Sequence, residues 1–151
     1  MTGTGGSGPV VFAYDGSELA AHAIDEAGRL LETNAEALVV TVWQPFDIGF
    51  LPATAAQFDA ADIAGVRTAA AQTAAAGAAR AEAAGFRAQS AEIEWSPTWK
   101  GISDFADERD ARLIVLGSHG RSGLAGVLVG SVAGAVAAHS RRSVLVVHRG
   151  D

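Results

Sequence analysis

The sequence predicts an α/β protein: one domain on a doubly wound, parallel five-stranded sheet flanked by helices. Five short apolar runs recur along the chain, helix-forming segments separate them, and glycine, proline or asparagine punctuates most changeovers. With 151 residues, 49% hydrophobic and 19% charged, the chain can fill one core of ordinary size and has little left for a second. Residues 1–8, rich in Gly, Thr and Ser, read as a flexible N-terminal tail, and residues 9–151 as the domain.

Pro9 to Tyr14 is the first buried strand, stopped by Asp15-Gly16-Ser17. Leu19, Ala23, Ala27 and Leu30 then recur at helical spacing beside Glu18, Asp25, Glu26 and Arg29, which predicts an amphipathic helix over 17–32. Asn34-Ala35 turns the chain into a second strand, Ala37 to Trp43, ended by Pro45. The alanine-rich segment from about Phe58 to Ala84 reads as one helix by propensity despite Gly65 and Gly77, where an interruption is possible. Phe86 to Trp95 is the third strand, and Ser96-Pro97 closes it before a helix over 98–108. Leu113 to Leu116 is the fourth strand; a helix over 131–139 and a final strand, Ser143 to His148, complete the alternation.

Composition excludes several function classes. Eleven Lys and Arg against seventeen Asp and Glu give a net charge of −6, which disfavours sequence-independent nucleic-acid binding while allowing a local anion site. With no cysteine there are no disulfides, thiolate nucleophiles or sulfur-based zinc sites, which suits a reducing, cytoplasmic compartment. The N-terminus carries no signal-peptide pattern. The uncharged stretch around Leu124 to Ala138, with Gly126, Gly130 and Gly134 at small-xxx-small spacing, is too short and too rich in Gly and Ala for a bilayer span, so no membrane association is expected. His22, His139 and His148 show no ligand spacing, so a metal site made by protein alone is not expected.

The most informative segment is the glycine-rich run from Gly117 to Ser131, directly after the fourth strand. Glycines at a strand end, in a loop and at a helix start let backbone N–H groups converge on one anion, and Ser131 can add a hydroxyl donor or cap the helix. Gly3 to Gly8 satisfies G-x-G-x-x-G letter by letter but precedes the first strand, where that motif has no mechanism, and there is no Walker-type lysine loop. Asp15, at the carboxyl end of strand one, can accept a ribose hydroxyl or help hold Mg²⁺. It also fits a capping box in which Asp15 takes an N–H and Glu18 reaches back. His119 and Arg121 are either phosphate contacts or solvated loop residues, Gly130 and Gly134 either cradle or close helix packing, and Trp95 and Trp99 either core filler or a lid.

Gly117, Gly120, Gly130 and Ser131 form G-x-x-G-x₉-G-S, and with it the chain resembles the nucleotide-binding branch of the universal stress protein (UspA-like) family. The likeness extends over a first strand ending in Asp15-Gly16-Ser17, a second ending at Val42, the run Asp110 to Gly120, and the closing Val144 to Val147. The resemblance implies an adenine nucleotide alpha hydrolase-like fold that binds ATP, or ADP or AMP, with Mg²⁺ at the carboxyl ends of its strands. It implies a nucleotide site of Ala13, Tyr14, Asp15, Val42, Leu116, Gly117, His119, Gly120, Arg121, Gly130, Ser131 and Val132, with Val42 meeting adenine through its backbone and Asp15 reaching nucleotide-bound Mg²⁺. Two departures stand out: Ser143 where proline often precedes the last strand, and Thr41 where histidine is common.

The expected function is that of a small cytoplasmic ATP-binding regulator of stress response, with slow or no hydrolysis. The rival is an ATP-hydrolysing or adenylate-forming enzyme on the same fold, which needs a second substrate pocket; a third reading makes the loop purely structural. The final strand, apolar throughout, is expected at a sheet edge, where Val144 and Val146 would pair with a second copy in a homodimer, as the resemblance also implies.

Overall fold

The computed structural model describes residues 7–45, 60–120 and 129–149. Among these residues nine elements alternate: β1 Val10–Ala13, α1 Glu18–Leu30, β2 Glu36–Trp43, α2 Ala60–Ala83, β3 Arg87–Glu94, α3 Thr98–Glu108, β4 Leu113–Gly117, α4 Ser131–His139 and β5 Val144–Val147. They form one five-stranded sheet in the order β3-β2-β1-β4-β5, every neighbouring pair parallel. The expected fold class is the observed one. Winding runs outward from β1 through β2 to β3, then returns to β4 and continues to β5, so direction reverses between β1 and β4.

Each face of the sheet has its own core. Val10, Phe12, Ala37 and Val39 meet Ala23, Ile24 and Ala27 of α1 and Ala81 of α2 on one face, where Phe12 and Phe86 pack edge to face at 5.2 Å. Val11, Val40, Ile114 and Leu116 meet Ile102, Phe105 and Ala106 of α3 and Ala133 and Val136 of α4 on the other. Alternate residues along each central strand thus enter opposite cores, which is why these strands read as unbroken apolar runs.

The long alanine-rich helix is continuous through both of its glycines. Its buried stripe, Val66, Ala70, Ala74, Gly77 and Ala81, is made of small residues that let the helix lie close to the sheet. At Gly77 a Cβ would stand 2.7 Å from both Tyr14 Cδ2 and Val39 Cγ1. Alanine there would gain about 1 kcal/mol of helix propensity, but Val39 is fully buried and cannot step aside. The overpacking cost of roughly 1–3 kcal/mol outweighs that gain, so Gly77→Ala is expected to lower the urea midpoint; an unchanged or raised midpoint would mean the helix can lift off Tyr14.

Polar ties fix the remaining joints. Arg142 donates to Asp107, Asp110 and the Ala111 carbonyl, which pins the approach to β5 against the end of α3. Arg80 of α2 pairs with Asp25 of α1, and its guanidinium holds that carboxyl below its ordinary value. This contact supports the folded state at neutral pH and is lost as acid protonates Asp25, below the ordinary aspartate range because Arg80 holds its carboxyl down.

The two sheet edges differ. β3 exposes Arg87, Gln89, Ser90 and Glu94, and its Glu92 is held by Trp43 Nε1 and Arg67 Nε. β5 is apolar throughout and sits at the opposite edge, as expected. Ile114 N–H donates to the Ser143 carbonyl and Ser118 N–H to that of Val147, so residues 143, 145 and 147 face β4. By alternation, Val144 and Val146 turn their N–H and C=O groups to the open side. His22, Glu26 and Leu30 of α1 line a groove beside this edge, and Leu30 is 60% exposed.

Candidate functional site

The crevice of a doubly wound sheet opens where the winding reverses, at the carboxyl ends of the strands. Here that point lies between β1 and β4, so Tyr14-Asp15 and Ser118-His119-Gly120 leave the sheet side by side. Asp15 Oδ1 accepts the Ser17 N–H at 3.0 Å, which turns the chain, and a Cβ on Gly120 would stand 2.5 Å from Asp15 Oδ2. The first strand's carboxylate therefore reaches the glycine loop after the fourth strand, and only glycine leaves room for it.

Ser118, which the sequence did not single out, joins the pieces. It is buried; its N–H donates to Val147 at 2.8 Å, and its carbonyl accepts the Gly130 N–H at 2.5 Å. This clamps the start of α4 against the end of β4. A Cβ on Gly130 would lie 3.1 Å from the Ser118 oxygen and 3.5 Å from both Cα and Nδ1 of His119. Gly130 is the N-cap of α4, so no side chain covers that turn, and the positive end of the helix dipole points at the loop.

On the other side of β1, Thr41 donates its hydroxyl to the Tyr14 carbonyl at 2.8 Å and ties the ends of β1 and β2 together. The Tyr14 N–H donates to Val40 and the Trp95 N–H to Trp43, so Val42 turns its own N–H and C=O toward the β1 side. β1 has already ended there: its last residue, Ala13, pairs with Val40 of β2. Val42 thus offers one backbone donor and one acceptor past the end of β1, while its side chain packs against the α3 face.

Ala13, Tyr14, Asp15, Val42, Gly117, His119, Gly120, Gly130 and Ser131 accordingly stand at one end of the sheet. The side chains of Leu116 and Val132 turn away from that end into the core of the α3–α4 face. Arg121 lies outside the described residues. Gly117 has a packing reason of its own: a Cβ there would stand 2.9 Å from Leu19 Cγ.

Three alternatives left open by the sequence are narrowed. The α1 N-cap is Ser17, whose hydroxyl accepts the Ala20 N–H at 3.1 Å, so Asp15 does not cap the helix, and Glu18 pairs with Arg149 instead of reaching back. Ser131 is the first residue of α4 and not its cap. Trp99 does pack against the α3–α4 core, 4.9 Å from the His139 ring, but Trp95 is not core filler: it is 44% exposed. Among the described residues no three His, Asp or Glu side chains gather around a common point, and no helix is long and apolar enough to cross a membrane.

Residues 7–148 match the universal stress protein family. Universal stress protein Rv2005c of Mycobacterium tuberculosis is 32% identical over 152 residues; the match takes in 93% of this chain and 45% of the relative, so the chain spans about half the length of that protein. A universal stress protein solved in complex with cAMP superposes with a TM-score of 0.67 at 28% identity, covering 95% of this chain and 98% of its own. The universal stress protein of Archaeoglobus fulgidus in complex with dAMP gives a TM-score of 0.62 at 23% identity, covering 91% and 95%.

Proposed function

The chain belongs to the universal stress protein family, and from that premise we propose that its crevice binds an adenine nucleotide, ATP with Mg²⁺ foremost, and that occupancy regulates a cytoplasmic homodimer. The observation that carries this reading is the meeting of Asp15, Gly120 and Gly130 at the winding reversal. Glycines with no Cβ, one of them opening a helix, suit a phosphate chain. A carboxylate beside phosphates is repulsive by itself and becomes favourable when a cation bridges them. Mg²⁺ usually takes one or two protein carboxylates and fills its other positions with phosphate oxygens and water. One carboxylate is what Asp15 supplies, so the residues fit a metal that arrives with the nucleotide. Relatives solved with cAMP and dAMP support the adenine end of the reading.

On this reading hydrolysis is slow or absent, and the site serves to hold the nucleotide. Isothermal titration with Mg-ATP, with mass spectrometry of nucleotide retained through purification, tests the binding; no binding and no retained nucleotide would end the proposal.

Asp15 allows a sharper test. Asparagine keeps an Oδ1 for the Ser17 N–H, so Asp15→Asn should leave the melting temperature of the free protein near that of wild type. It removes the charge that Mg²⁺ needs, and the nucleotide affinity should fall roughly 10- to 100-fold, the scale of a lost contact to a charged group. Thermal shifts with and without Mg-ATP read both quantities; an equal ligand-induced shift in the two proteins would confine Asp15 to the turn.

A further inference from the structure

Trp95 combines a fixed stem with an uncovered ring. It follows the last residue of β3, at the same end of the sheet as the crevice, and is 44% exposed where most large apolar side chains are buried. Its N–H donates to the Trp43 carbonyl at 3.1 Å, and its own carbonyl accepts Gln44 Nε2 at 2.7 Å, so the backbone is tied to β2 from both sides. The same Gln44 amide holds Thr98 Oγ1 at the start of α3. Below the ring lies Gly101: a Cβ there would stand 2.8 Å from Trp95 Cβ, 3.2 Å from Trp95 Cγ and 3.2 Å from Val42 Cγ1. Trp95 and Val42 are therefore neighbours over one glycine, and Val42 is the residue whose N–H and C=O open past the end of β1.

A buried indole would be explained by packing, and an indole on a loose loop would need no explanation. A tryptophan whose main chain is pinned on both sides, and whose ring is left half in water beside the Val42 side chain at the strand ends, is a preorganised flat surface. We infer that Trp95 forms a wall of the base end of the crevice, so that the purine's face lies against the indole while its polar edge meets Val42. The inference rests on the nucleotide reading and adds to it the residue that favours a planar base over a bare phosphate chain. Stacking of a base on an aromatic side chain loses roughly one to two orders of magnitude in affinity on truncation to alanine, whereas another aromatic ring retains most of it.

Titration of Mg-ATP into wild type, Trp95→Ala and Trp95→Phe, with the melting temperature of each free protein, tests it. Trp95→Ala should bind at least about tenfold more weakly, Trp95→Phe should stay within a few-fold of wild type, and all three should melt alike. Mg-ATP should also quench part of the tryptophan emission of wild type, and that part should vanish in Trp95→Phe. Equal affinity in wild type and Trp95→Ala, or quenching that survives in Trp95→Phe, would overturn the assignment while leaving the nucleotide site standing. Failure of wild type itself to bind would instead overturn the nucleotide reading, and this inference with it.

Discussion

Gly130→Val is expected to abolish measurable nucleotide binding while the protein stays folded. Even a single methyl at this position would stand 3.1 Å from the Ser118 carbonyl oxygen and 3.5 Å from His119. Valine adds two branches to that methyl, held in few rotamers, at the helix opening that would face the phosphates. The backbone itself tolerates the change, since φ is −72° and any residue adopts it. Strain is therefore confined to the cradle, and the loss should show as the disappearance of the titration heat, with only a modest fall in melting temperature. A folded Gly130→Val protein that binds Mg-ATP like wild type would remove the phosphates from this loop.

Val146→Pro should convert a dimer into a monomer that remains folded. Val146 points its N–H away from β4, so proline deletes no hydrogen bond within the sheet but removes a donor from the open edge. Leu145 is the matched control: its N–H faces β4, and Leu145→Pro should break the ladder and unfold the domain or send it into aggregates. Light scattering coupled to size exclusion distinguishes the outcomes. If the wild type is a monomer at micromolar concentration with and without ATP, the pairing of β5 with its own copy is wrong; if Val146→Pro remains a dimer, the contact lies on another surface.

Much of the fold was legible because its signals are local. Apolar runs at Val10–Ala13 and Leu113–Gly117 and punctuation by Gly16, Asn34 and Pro45 place strands and turns without knowledge of any partner. Gly77 was harder: as a helix-weakening residue it suggested an interruption, and only the position of Tyr14 and Val39 explains it. The cap of α1 stays open in the sequence because Asp15 and Ser17 are both good N-caps by type; in the structure Asp15 Oδ1 takes the Ser17 N–H, and the Ser17 hydroxyl caps the helix. In the site, the glycine spacing was visible, but the approach of Asp15 to Gly120 is a contact between distant parts of the chain. Neither that nor the clamp at Ser118 leaves a mark on composition or period. Trp95 and Trp99 are identical letters four apart at the start of a helix, and only the packed structure distinguishes the sheltered ring from the exposed one.

The contrast between the two sheet edges bears on how far assembly can go. A sheet with two receptive borders can add copies at both, and each added copy presents a fresh border, so growth has no natural end. In this chain β3 carries Arg87 and Glu94 outward and holds Glu92 in a polar cluster with Arg67, which makes it a poor template for another strand. Among the described residues, β5 is the apolar edge of the sheet. If two β5 strands pair as proposed, the ten-stranded sheet that results has a charged β3 at both ends, and the same pairing that would join two copies would end the additions at two.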